Sequence, residues 1–100
     1  MIESISILGI PHKVRYVEDG FCADATHFGE IEYAKAEIRI NAKLTDEMKK
    51  QTLIHEWVHG ALVQIGRAEE STDEQLVQGL ALAINQTFDV RSSKSEDGST

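Results

Sequence analysis

The hydrophobic period of this chain changes once, between Asn41 and Thr45. Up to Asn41 apolar residues tend to alternate with polar ones, and beyond Thr45 they recur at spacings of three and four. A period of two marks half-buried strands, and a period near 3.6 marks amphipathic helices. Strands followed by helices, with no βαβ alternation, read as an α+β domain: a small antiparallel β-sheet carrying two helices. With 100 residues there is room for one such domain, given a usual size of roughly 100–200 residues. An apolar fraction of 41% supplies one small core and excludes a chain disordered throughout.

The strand half contains Ser4–Leu8, a break at Gly9-Ile10-Pro11, and a second alternating run Lys13–Val17. Glu18-Asp19-Gly20 is a turn signal, and the stretch from Phe21 to Phe28 has no clear period. Gly29–Tyr33 and Ala36–Asn41 read as a hairpin joined through Ala34-Lys35. In the helical half, Thr45 offers an N-cap, with Asp46 and Glu47 in the first turn. Leu53, Ile54, Trp57, Val58, Ala61, Leu62 and Ile65 form one apolar arc, and Gly66 is the expected terminator. A second helix is expected to start near Ser71–Asp73 and run to about Phe88, burying Leu76, Val77, Leu80, Ala81, Ile84 and Phe88. Arg91–Thr100 has no apolar residue and reads as a polar, frayed tail, so the folded domain spans about residues 1–90.

Charge narrows the partners. Seventeen acidic residues against ten basic give a net charge of −7, which argues against a nucleic-acid binder and against an anionic membrane surface. No apolar run approaches the ~18 residues of a membrane span, and Met1–Ile10 lacks the basic start of a signal peptide. The single cysteine, Cys22, cannot pair internally, so a reducing, cytoplasmic setting is expected.

One motif carries chemistry. His55-Glu56-Trp57-Val58-His59 is an H-E-x-x-H sequence on the first helix. Residues four apart share a helix face, so both imidazoles can reach one ion. Glu56 is offset by ~100°, which suits a base leaning over the ion's open position rather than a third equivalent ligand. Zinc lowers the pKa of its water from about 15.7 to about 7, making hydroxide available at neutral pH. Both histidines fall at the edge of the apolar arc, beside Val58 and Leu62, and Gly60 would let another segment approach closely. Catalytic zinc usually keeps three protein ligands and water. The acidic candidates downstream are Glu69, Glu70, Asp73 and Glu74. Glu74 is the first choice, with Asp73 and Glu70 as alternatives. A competing role exists for Glu74, because Ser71-Thr72-Asp73-Glu74 fits a capping box. His12 and His27 read as solvated or hydrogen-bonded histidines, Cys22 as a small buried hydrophobe, and Trp57 as core.

The sequence resembles small zinc metallopeptidase-like proteins of the ImmA/IrrE type, specifically the short versions encoded by phages and mobile elements. The likeness runs from Gly29 to Ala81, and its distinctive part is the stretch from Gln51 to Leu62 around H-E-x-x-H. The resemblance implies a minimal zincin-like fold with a gluzincin-like site. His55 and His59 would be ligands, Glu56 the general base, and an acidic residue of the following helix the third ligand. It also implies a peptide or regulator protein as substrate, and Ala36–Asn41 as an edge strand able to pair with it. The expected function is therefore zinc-dependent peptide-bond hydrolysis. The alternative is a catalytically silent zinc-binding interaction module on the same scaffold.

Overall fold

A computed structural model describes residues 1–18 and 28–89. The expectations for Asp19-Gly20, Phe21–His27 (Cys22 and His27 among them) and the tail Arg91–Thr100 lie outside these described residues. The fold is α+β. Strands β1 (Ser4–Ile7), β2 (Ile10–Val17), β3 (Gly29–Glu32) and β4 (Glu37–Asn41) precede helices α1 (Asp46–Gln64) and α2 (Glu74–Thr87). Among the described residues, no helix is long and apolar enough to cross a membrane.

The sheet is mixed, not wholly antiparallel. Its order is β1-β2-β4-β3, with antiparallel β1–β2 and β3–β4 pairs and a parallel β2–β4 pair at its centre. The expected edge strand is therefore misplaced: β4 is interior, and β3 is the edge. The break expected at Gly9-Ile10-Pro11 is shorter than the pattern suggests. Leu8 and Gly9 alone form the turn, both at positive φ (51° and 87°), as in a two-residue type I′ hairpin. Pro11 sits inside β2, opposite Ser6. Hydrogen-bonded and non-bonded pairs alternate in an antiparallel ladder. Since Ile7↔Ile10 closes the turn, Ser6↔Pro11 is a non-bonded pair and the missing N–H costs nothing there. The β3–β4 hairpin turns through a 3₁₀ turn at Tyr33–Lys35, with Ala36 left-handed at φ 50°.

Two clusters form the core. Ile7, Val14, Ile38, Ile40 and Leu53 bind the sheet to α1, while Ile54, Val58, Val77 and Ala81 bind α1 to α2. Trp57 packs against both and donates Nε1–H to the Ser6 carbonyl at 2.9 Å. Gly60 permits the close approach anticipated for it: a Cβ there would lie 2.7 Å from Ile7 Cδ1 and 3.1 Å from Ile31 Cδ1. The apolar arcs are wider than the surfaces they meet. Ile65, Leu76, Leu80 and Phe88, expected in the core, are 58%, 39%, 40% and 63% exposed. Among the described elements α2 packs mainly against α1 and the turn before it, where Val77 and Ala81 are buried and Ile84 is partly so.

Both ends of α1 follow local chemistry. Thr45 Oγ1 accepts the Met48 N–H at 3.2 Å. At the other end Arg67 N donates to Leu62 O at 2.7 Å and Gly66 N to Val63 O at 3.1 Å, with Gly66 at φ +86°. This is a Schellman motif, and it satisfies carbonyls the helix leaves open. Gly66→Ala should lower unfolding free energy by about 1 kcal/mol through the left-handed backbone alone, since nothing lies within 4 Å of an added Cβ. Denaturant unfolding with an unchanged m-value is the check.

Candidate metal centre

α1 presents His55 and His59 on one face, a helical turn apart, with ring centroids 5.0 Å apart and planes inclined at 64°. Glu74 opens α2 opposite them. Its position follows from the cap: Asp73, not Ser71, is the N-cap, its side chain accepting Leu76 N–H at 3.1 Å. The capping box considered for Glu74 does not form, because Asp73 is the cap and Glu74 is the first residue of α2, and its carboxylate lies against the histidines. Glu74 Oε1 lies 3.1 Å from His55 Nε2, and Oε2 lies 3.3 Å from His59 Nε2. Of the alternative ligands, Asp73 is occupied as the cap and Glu70 pairs with Arg67 at 3.8 Å. Among the described residues, His55, His59 and Glu74 are the one group of three or more His, Cys or acidic side chains that could hold a metal ion.

The outer ring nitrogens fix the tautomers. His55 Nδ1 is 2.8 Å from Gln78 Oε1, an atom that can only accept. His59 Nδ1 is 2.9 Å from Ser71 Oγ, which also lies 3.4 Å from the His59 carbonyl. In the neutral His55 ring the hydrogen therefore sits on Nδ1 and the Nε2 lone pair faces a carboxylate, and His59 takes the same arrangement when Ser71 accepts from its Nδ1. Acceptors facing acceptors at 3.1 and 3.3 Å are relieved by a proton or a metal cation between them. Protonating both rings would set two positive charges side by side. Burial pushes the His59 pKa below its usual value and the neighbouring His55 adds to this, against the attraction of Glu74. One divalent cation answers the same need. With metal–ligand distances of about 2.0–2.1 Å, adjacent corners of a tetrahedron are roughly 3.3–3.4 Å apart, and the two nitrogen–carboxylate contacts, one to each oxygen, are of similar length. Hydrogen-bonded Nδ1 atoms are also the usual support of imidazole ligands.

The three side chains open onto a cleft of about 700 Å³ between α1, α2 and β3. Glu56 lines it from the next face of α1 and is 8% exposed. Gly29 sets the cleft's width, because a Cβ there would lie 2.7 Å from Thr52 Cγ2 and 3.0 Å from the Arg39 carbonyl. Tyr33 closes the end near Ser71; burial holds its phenol pKa above the ordinary value, Ser71 hydrogen bonding works against that, and Glu56 adds to it. Sequence reasoning missed Ser71, Gln78 and Tyr33 as members of the site. Gln78 had a legible signal, lying four residues after Glu74 on the same helix face. His12 is buried and hydrogen-bonded to Ile10 O at 2.9 Å, away from the cluster, as expected of it. The edge of β3 not paired with β4 borders the cleft through Gly29, Glu30 and Ile31.

No family model matches the chain, and neither a curated protein nor a solved structure is significantly similar to it. Ser71→Ala should release His59 Nδ1 and weaken divalent-metal affinity about 10–100-fold while leaving the fold intact. Competition with a chromophoric chelator, alongside circular dichroism, is the measurement.

Proposed function

We propose that the chain is a zinc-dependent metallopeptidase-like protein that hydrolyses peptide bonds, with a regulator protein as the substrate its resemblance to ImmA/IrrE-type proteins suggests. One observation carries the reading: two Nε2 atoms converge on the Glu74 carboxylate while both Nδ1 atoms are hydrogen-bonded elsewhere. His55, His59 and Glu74 would hold the ion. Neutral imidazoles and a carboxylate suit zinc, and three protein ligands leave a fourth position open. When bound there, the ion supplies Lewis-acid polarisation of a carbonyl and acidifies water.

The chain's own groups do the rest. Glu56 accepts the proton of the attacking water and passes it to the leaving nitrogen, so that one water is added across the C–N bond and a carboxylic acid and an amine depart. Gln78 and Ser71 hold the rings in register. The edge of β3 away from β4, which no other described strand pairs with, would offer backbone groups to an extended peptide lying along the cleft as an added strand.

Glu56→Gln keeps the size and loses the base. This variant should take up zinc like the wild type and lose about 10²–10⁴-fold in hydrolysis, read with quenched-fluorescence peptide mixtures in the presence and absence of a chelator. Cleavage that survives either the substitution or the chelator would contradict the mechanism. Zinc uptake by a wild-type protein that cuts nothing would favour the silent interaction module.

A further inference from the structure

The two apolar clusters divide the domain unevenly. Ile7, Val14, Ile38, Ile40 and Leu53 join the sheet to α1, and the side chains packed around them come from α1 and the residues before it. That core draws nothing from α2. The second helix is attached through α1, with Val77 and Ala81 as its buried residues against Ile54 and Val58. Leu76, Leu80, Leu82 and Phe88 stay exposed. The helix is also weak in itself. It has 14 residues, a length at which an isolated helix is marginal in water. Gly79 sits in its interior with nothing within 4 Å of an added Cβ, so no close packing offsets the cost of a helical glycine.

The rest of the attachment is polar and gathers at the metal group. Glu74 meets both histidines, Gln78 meets His55, and Ser71, in the turn leading into α2, meets His59. Asn85 adds a bond to Gln51 farther along. Two of the three candidate ligands belong to α1 and the third to α2. A cation can use all three only when α2 is docked, so binding and docking favour each other by the same factor.

We infer that α2 is a metal-operated clasp: the sheet and α1 hold their fold without a cation, and a divalent cation docks α2 by joining Glu74 to His55 and His59. Glu74 and Gln78 form the α2 wall of the cleft that Glu56 lines from α1. With α2 undocked the cleft loses that wall, so metal supply sets what fraction of the chains carries an assembled site. This rests on the proposed metallopeptidase function and adds to it the regulation of the same site.

Hydrogen exchange read by mass spectrometry on the full chain follows docking without any substrate. The chain is compared in chelator and at free zinc about 100 times its Kd. In chelator, α2 amides should exchange at least about tenfold faster than those of α1 and β4, as a unit that opens by itself. Zinc should slow α2 exchange by about 100-fold. Glu74→Ala removes a side chain that is 68% exposed, so little packing is lost with it. At about 100 times this variant's own Kd, zinc held by His55 and His59 alone should leave α2 exchanging as in chelator. Gly79→Ala should slow α2 exchange in chelator by about fivefold, by strengthening the helix alone. If α2 is as protected in chelator as α1 and β4 while zinc is still taken up, the clasp is overturned and the hydrolase reading stands. Equal slowing by zinc in Glu74→Ala would overturn the clasp together with Glu74 as a ligand. A chain that takes up no zinc would overturn both the clasp and the hydrolase.

Discussion

Two neutral imidazoles and a carboxylate that point lone pairs at one another are stable only around a positive charge. Most of what is distinctive in this small domain serves to hold that arrangement. The hydrogen bonds from Nδ1 to Gln78 and Ser71 keep the rings from turning away. The Asp73 cap places Glu74 at the first position of α2, where its carboxylate can span both Nε2 atoms. Without a cation the rings and the exposed carboxylate gain little from facing each other; with one, the contact becomes the link between the two helices.

The rest of the scaffold fixes distances around that contact. Gly60 brings α1 down onto Ile7 and Ile31, and Gly29 brings the edge strand against Thr52 beside Glu56. The helix pair is held by a narrow apolar patch, Ile54 and Val58 against Val77 and Ala81. Beside it the same two helices meet through polar groups: Gln51 Oε1 accepts from Asn85 Nδ2 at 2.6 Å, His55 meets Gln78, and the histidines meet Glu74. A seam with that much polarity is weak as a core and strong as a site, since each member is aimed.

The local features were legible and the long-range ones were not. Thr45 as a cap, Gly66 as a terminator and the shared face of His55 and His59 depend on residues within a turn or two of each other, and spacing alone reveals them. Glu74 could be reached only as a first choice among acids, because its competing role as a cap partner hinged on whether α2 begins at Ser71 or two residues later. Strand order lay beyond the pattern. Alternation shows that Ala36–Asn41 is a strand but not that it pairs with β2 on one side and β3 on the other, which leaves β3 facing the cleft. Leu76, Leu80 and Phe88 were misjudged for a related reason: an apolar arc shows which face can be buried, not how much partner surface exists to bury it.

X-ray absorption on the zinc-loaded chain tests the central claim most directly. The account predicts a first shell of nitrogen and oxygen only, at about 2.0–2.1 Å, with the outer-ring scattering of two imidazoles and room for one exchangeable water. A sulfur neighbour near about 2.3 Å, a single imidazole, or a shell closed by four protein ligands would contradict it.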